Sequence, residues 1–275
     1  MKSCLLGLAI AAALGVCCVA RAQITGKVML DGKAPDAREI DMKGVPDCAK
    51  LHADPVFEET IVAGDKGELK NVVISIKTDD PSSLGGEAPK TPAVLDQKGC
   101  TYEPHVLAVM VGQEMKVKND DPFLHNVHSL ANNNPNFNFG QPNKDEGKKV
   151  DSPKVAENFK IKCDVHPWMG AYVAVFEHPF FAVSGDDGSF TIPGTLPDGE
   201  YAVTAWHESL GTQEGKVTVS GGKGTVEFKF AAPGAMAPDG NPARIMLASD
   251  QKSGCDAGTC CKDSRAAAVT ATQGK

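Results

Sequence analysis

The chain has 275 residues, 28 of them basic and 35 acidic, a formal net charge of −7, and nine cysteines. The acidic balance excludes nucleic acid as the principal partner and fits ordinary solubility. The length beyond the first segment suffices for one large or two small domains with a real core.

Lys2 precedes an apolar run from Leu5 to Ala20, and Ala20-Arg21-Ala22 offers a small-x-small cleavage site. Residues 1–22 are therefore expected to be a secretory signal peptide, which places the mature protein in the periplasm or outside the cell. The apolar run is too short and wrongly flanked for a membrane span, and no later stretch approaches spanning length. A lipoprotein signal is disfavoured because Val16, not a small residue, precedes Cys17. Loss of Lys2 and Arg21 leaves 26 basic against 35 acidic residues, a charge of −9. Cys48, Cys100, Cys163, Cys255, Cys260 and Cys261 remain, and an oxidising compartment makes disulfides their default.

From there the predicted elements are β throughout. The runs "ITGKVML" (24–30), "NVVISIK" (71–77), "HVLAVMV" (105–111) and "EMKVKN" (114–119) are alternating or apolar and are broken by Gly, Pro, Asn and Asp. "NFKIKC" (158–163), "AYVAVF" (171–176), "SFTI" (189–192), "EYAVTAW" (200–206), "GKVTV" (215–219) and "TVEFKF" (225–230) continue the pattern. Short strands at this spacing predict an all-β sandwich or barrel, and no segment holds a helical period over three turns. From about Ala231 the composition turns to Ala, Gly, Pro, Ser and Asp, so residues 231–275 read as a disordered, Cys-containing tail.

Chemistry concentrates in "KIKCDVHPWMGAYVAV" (160–175), where Cys163, His166 and Met169 lie within seven positions. "NDDPFLHNVHSL" (119–130), read as a strand-edge loop, supplies histidines upstream. One thiolate, two imidazoles and one thioether form the soft mixed set of a type 1 (blue) copper electron-transfer centre. Pairing of Cys163 with another cysteine is the bland alternative. Zinc is a second alternative, though a thioether is wasted on it. Copper storage or delivery is a third.

The stretch 94–176 resembles the cupredoxins. "YEPHVLAVMVGQEMKVKNDDPFLHNV" follows their aromatic-x-Pro, strand, Gly, strand, Asn and His-Asn-Val order, and "CDVHPWM" follows their ligand loop. With only Pro167 and Trp168 between the second His and the Met, the loop is shorter than that of the plastocyanins and similar to that of the amicyanins. The resemblance assigns His125, Cys163, His166 and Met169 to one copper ion and leaves His128 as a non-ligand neighbour. It implies that the Asn126 side chain ties the two ligand loops together by bonding backbone near Asp164. It also implies that the His166 ring is a partly exposed edge for electron passage, framed by Pro167 and Trp168. Simple packing of Trp168 over the site is an equal alternative.

"FFAVSGDDGSFTIPGTLPDGEYAVTAWH" (180–207) reads as strand, Asp-Asp-Gly hairpin turn, strand, Pro-Asp-Gly turn, strand. Through Asp187, Gly188, Phe190, Pro197, Gly199 and Tyr201 it resembles the carboxypeptidase regulatory-like, transthyretin-type sandwiches, whose opening strand-turn "GKVMLDGKAP" (26–35) also fits. The expected organisation is a split sandwich of residues 24–80 and 179–230 with a cupredoxin at about 90–178 set into it. The polar linker 78–92 marks one boundary, and a plain tandem is the alternative.

The other histidines carry less. His105 is expected to be structural or hydrogen-bonding, and His178 and His207 to be surface or interdomain residues. His52 echoes a haem motif only superficially, because Cys-x-x-Cys-His is absent. The preferred pairing of the remaining cysteines is Cys48 with Cys100, both in otherwise ordered sequence outside the ligand loop. Cys255, Cys260 and Cys261 fit a small disulfide loop, a metal clip or intermolecular linkage alike. Two function classes follow. One is a copper electron carrier, not an enzyme, serving a redox protein donor or acceptor. The other is a cell-surface sandwich that binds carbohydrate or protein.

Overall fold

The computed structural model describes residues 23–234. The expected signal peptide and the tail beyond 234, with Cys255, Cys260 and Cys261, lie outside the described residues. The strands are β1 (Gln23–Asp31), β2 (Val73–Lys77), β3 (Ala93–Lys98), β4 (Thr101–Glu103), β5 (Val106–Met110), β6 (Met115–Asn119), β7 (His125–Ser129) and β8 (Asn138–Gln141). They continue as β9 (Asp145–Val150), β10 (Glu157–Lys162), β11 (Gly170–Phe176), β12 (Phe181–Val183), β13 (Ser189–Pro193), β14 (Gly199–His207), β15 (Gly211–Val219) and β16 (Lys223–Ala231). One short helix, α1 (Pro46–Ala49), begins at a proline suited to a first helical turn. The chain is all-β, as its alternation predicts.

Four sheets form two groups. Strands β5-β11-β10-β7-β8 and β4-β3-β6-β9 use only residues 93–176, whereas β13-β1-β16 and β12-β2-β14-β15 are assembled from both flanks. Each group has its own core. Leu95, Tyr102, Val109, Val117, Val127, Ile161 and Val173 fill the first, which also contains Cys163 and Met169. Val28, Ile74, Ile192, Val203, Phe228 and Phe230 fill the second. A smaller cluster of Val73, Val106 and Ala174, with Tyr172 and Trp206 against it, joins the two groups.

Alternation explains the burial. In β10, Phe159 and Ile161 face inward while Lys160 points out, and in β16, Val226, Phe228 and Phe230 do the same. Gly26 is required by close approach, since an added Cβ would stand 1.8 Å from Val226 O and 2.5 Å from the Phe190 ring. Strand β1 pairs parallel with β16 over its whole length and antiparallel with β13.

One expected hairpin is absent. The Asp-Asp-Gly turn does close, with Gly185 N–H on Ser189 O (3.0 Å), but β12 pairs with β2 and β13 pairs with β1. The turn therefore carries the chain between facing sheets, because both flanking strands find longer partners elsewhere. His178 and His207 are also corrected, being 5 % and 1 % exposed. Each ring serves local backbone. His178 Nε2–H donates to Ile76 O (3.0 Å), and His207 Nδ1 accepts the N–H groups of Ser209 (3.1 Å) and Leu210 (3.3 Å). That second contact closes the β14–β15 turn and leaves His207 neutral, pushed down to about 4 by burial.

Candidate metal centre

The loop "CDVHPWM" is the turn of the β10–β11 hairpin. Lys162 pairs with Gly170 as the last ladder step, Cys163 N–H donates to Met169 O (3.2 Å), and Met169 N–H donates to His166 O (3.0 Å). Cys163 and Met169 thus face each other at the loop base, with His166 between them in sequence. Strand β7 lies beside β10. Of the segment read as a strand-edge loop, residues 125–129 are this strand and 120–124 are the loop before it, and the strand's alternation turns His125, Val127 and Ser129 inward and Asn126 and His128 outward.

His125, Cys163 and His166 converge inside the core. Their ligand atoms all lie within 4.8 Å of one another. The two Nδ1 atoms are 3.0 Å apart, and Cys163 Sγ is 3.8 Å from His166 Nδ1. Met169 is buried in the same core. Cys163 Sγ also accepts the N–H groups of Asn126 (3.4 Å) and His166 (3.3 Å). Burial opposes the thiolate, but the charged His125 ring, protonated on Nδ1 as well as Nε2, and these backbone donors outweigh it and hold the thiol below its ordinary range.

Asp121, which sequence reasoning passed over, orients the first imidazole. Its carboxylate accepts His125 Nε2–H (2.8 Å), Gly99 N–H (2.9 Å) and Cys100 N–H (2.9 Å). In the neutral ring this fixes the tautomer, with the proton on Nε2 and the lone pair on Nδ1 facing the other ligands. Burial works to raise the Asp121 pKa, yet these three donors hold it below the usual carboxylate range. His125 is raised in turn, because Asp121 and Cys163 outweigh its burial. His166 is lowered by burial and then by the charge of His125. The loop before His125 is pinned by Asn119, whose Nδ2 shares its two hydrogens among Phe123 O (3.0 Å), Gln141 O (3.1 Å) and Asn143 O (3.1 Å). The available signal was a carboxylate four residues ahead of the histidine in "NDDPFLH".

The outward residues tie β7 to the β10–β11 loop. Asp164 N–H donates to Asn126 Oδ1 (3.1 Å), and Asn126 Nδ2 donates to Asn138 Oδ1 (2.7 Å). His128 Nδ1 meets Asp164 Oδ2 at 2.9 Å, so His128 acts on the loop through Asp164. The Lys162 ammonium first, with His128 and Asn138, holds the exposed Asp164 down to about 2. Tyr102 Oη–H donates to Asn126 O (2.6 Å), and Trp168 Nε1–H donates to Cys100 O (3.0 Å).

His166 departs from expectation. Its neighbours Val165 and Pro167 are exposed, but His166 itself is only 3 % exposed. Trp168 lies against it, ring centroids 5.3 Å apart, and both sulfurs of a Cys48–Cys100 disulfide lie within 4.8 Å of a His166 ring nitrogen. His52 and His105 stay outside the cluster. His52 Nε2–H donates to Gly99 O (2.7 Å), and His105 Nε2 pairs with Glu208 (2.5 Å).

No protein-family model and no curated protein matches the chain. Among solved structures it is similar to the reduced Cu(I) form, at pH 4, of a point mutant of amicyanin, at 24% identity over 38% of this chain and 98% of that one, TM-score 0.28. It is similar to a purple cupredoxin from Nitrosopumilus maritimus, at 24% identity over 30% of this chain and 99% of that one, TM-score 0.25. It is also similar to a copper-containing nitrite reductase from Thermus scotoductus SA-01, at 22% identity and TM-score 0.27, covering 36% of this chain. The chain spans about a quarter of that reductase, 25% of its length. Among the described residues, no helix is long and apolar enough to cross a membrane.

Proposed function

We propose that His125, Cys163, His166 and Met169 hold one copper ion as a type 1 centre, and that the protein is a one-electron carrier. The observation that carries this reading is the convergence of a buried, stabilised thiol with two imidazole Nδ1 atoms. Two nitrogens and one soft sulfur suit copper, and the buried thioether of Met169 at the loop base would serve as a weaker fourth ligand. Copper, when bound, supplies a single reversible electron. The chain does the rest. Asp121 keeps the His125 lone pair aimed inward, the N–H groups of Asn126 and His166 spread the charge on Cys163, and the core excludes water. Rigid donors keep geometry constant between oxidation states, which keeps reorganisation small.

With Met169 in the fourth position no site is left for a substrate, so we read the protein as a carrier and not an enzyme. Its counterpart is a redox protein donor or acceptor. The disulfide supports an oxidising compartment, periplasmic or extracellular. The organisation we propose is a cupredoxin-type module, residues 90–178, set into a carboxypeptidase regulatory-like sandwich. The separate cores support that division.

The test is the visible spectrum and metal content of the secreted protein. An intense thiolate-to-copper band at one copper per chain, lost in Cys163→Ser, is expected. A colourless protein that takes up no copper would overturn the reading.

A further inference from the structure

Residues 38–58 form a loop that leaves the chain between β1 and β2 and packs on the core that contains Cys163. Its base is a short antiparallel step, with Ile40 N–H on Val56 O (2.8 Å) and Glu58 N–H on Arg38 O (2.9 Å). Its far end is α1, which carries Cys48 to Cys100. Between them Met42 is buried, and Ile40, Val45, Ala49 and Val56 pack on the core that contains Cys163 and Met169. Apart from this packing, the His52 contact with Gly99 O is the side-chain hydrogen bond that holds the far half of the loop to the strands beneath. The disulfide sulfurs stand within 4.8 Å of a His166 ring nitrogen, and that residue is 3 % exposed.

We propose that residues 39–57 are a lid over the metal centre and that the Cys48–Cys100 bridge is its latch. With the bridge closed, His166 is shut off from water and from partner proteins. With the bridge broken, the loop is held by a few apolar contacts and the His52 hydrogen bond to Gly99 O, and it swings away about its exposed Gly44 and its base. Opening takes two electrons and two protons. The S–S bond breaks, each sulfur becomes a thiol, and a dithiol of the thiol–disulfide exchange class is oxidised to its disulfide. Both cysteines are fully buried in the closed state, so a dithiol reaches the bridge through transient local opening of the loop. The consequence for electron transfer rests on the copper reading, whereas the lid does not.

The test separates the two. In the metal-free full chain, iodoacetamide labelling of Cys163, resolved from the other cysteines by peptide mass spectrometry, reports access to the centre. Wild type should label slowly, and Cys48→Ala/Cys100→Ala should label about tenfold faster or more through local opening. Hydrogen exchange should meanwhile leave the β10–β11 amides protected. Wild type treated with a dithiol should match the variant. Unchanged Cys163 labelling with the bridge broken would overturn the proposal. So would loss of protection across β10 and β11, because the bridge would then hold the whole sandwich and not one loop. In copper-loaded protein the variant's electron self-exchange should rise in parallel. Failure to load copper would sink the carrier reading and leave the labelling result standing.

Discussion

Replacement of Asp121 by alanine is the sharpest test of how the centre is held. The carboxylate is 4 % exposed and is the acceptor for three donors, Gly99 N–H, Cys100 N–H and His125 Nε2–H. A buried donor left without an acceptor costs about 1–3 kcal/mol. Removing a buried charge returns some desolvation energy, and water entering the space relieves one donor. We therefore expect a loss of about 3 kcal/mol in metal-free protein at neutral pH. Urea unfolding followed by Trp fluorescence at constant m-value measures it. The pH dependence has a definite sign. Asp121 is depressed in the fold, so its contribution is present above the unfolded carboxylate pKa of about 3.9 and is lost as pH falls through the folded value. The gap between wild type and variant should therefore shrink in acid. In copper-loaded protein, loss of the carboxylate behind the imidazole should weaken metal affinity by about 10–100-fold. A variant as stable as wild type at pH 7, with unchanged copper affinity, would refute the assignment of Asp121 as the residue that orients His125.

The buried His207 ring, pushed down to about 4, makes the fold lose stability as pH falls from about 6.5, by about 3 kcal/mol once both states are protonated. His207→Asn, which keeps an acceptor for Ser209 and Leu210, should flatten unfolding free energy between pH 7 and pH 4, and an undiminished slope would count against it. Gly26→Ala drives a methyl group into Val226 O and the Phe190 ring. It should cost about 3 kcal/mol and lower the melting temperature by roughly 10 °C, an effect that calorimetry would show to be absent if β1 can shift.

The candidate site was legible in sequence because its donors are rare residue types at fixed spacing, and Cys163, His166 and Met169 sit on one hairpin turn. Most strands with one apolar face were legible too, although β3, "AVLDQK", was passed over and β15 begins at Gly211, four residues before the run read from the sequence. What sequence missed was polar or required the third dimension. Strand β9, "DEGKKV", and the "NFGQ" of β8, whose one buried residue is the polar Gln141, lack apolar alternation because each lies at a sheet edge. Asp121 looked like an ordinary turn residue in "NDDPF", since the two N–H groups it accepts come from residues 99 and 100. The burial of His166 depends on Cys48, distant in sequence and brought close by the disulfide. The pairing of β12 and β13 with different sheets likewise depends on which partner strands compete for them.

The parallel ladder between β1 and β16 has a consequence for synthesis. All strands of the two inner sheets are complete once residue 176 has been made, whereas β1 must await β13, from residue 189, on one side and β16, from residue 223, on the other. The local part has the shorter closure distances and the faster expected folding. As the chain emerges, a finished inner unit holds the two loose flanks near each other and lowers the entropy of their closure. The strand made first is thus among the last to be covered. Until then its apolar face, Ile24, Val28 and Leu30, is the exposed edge that a chaperone would need to guard.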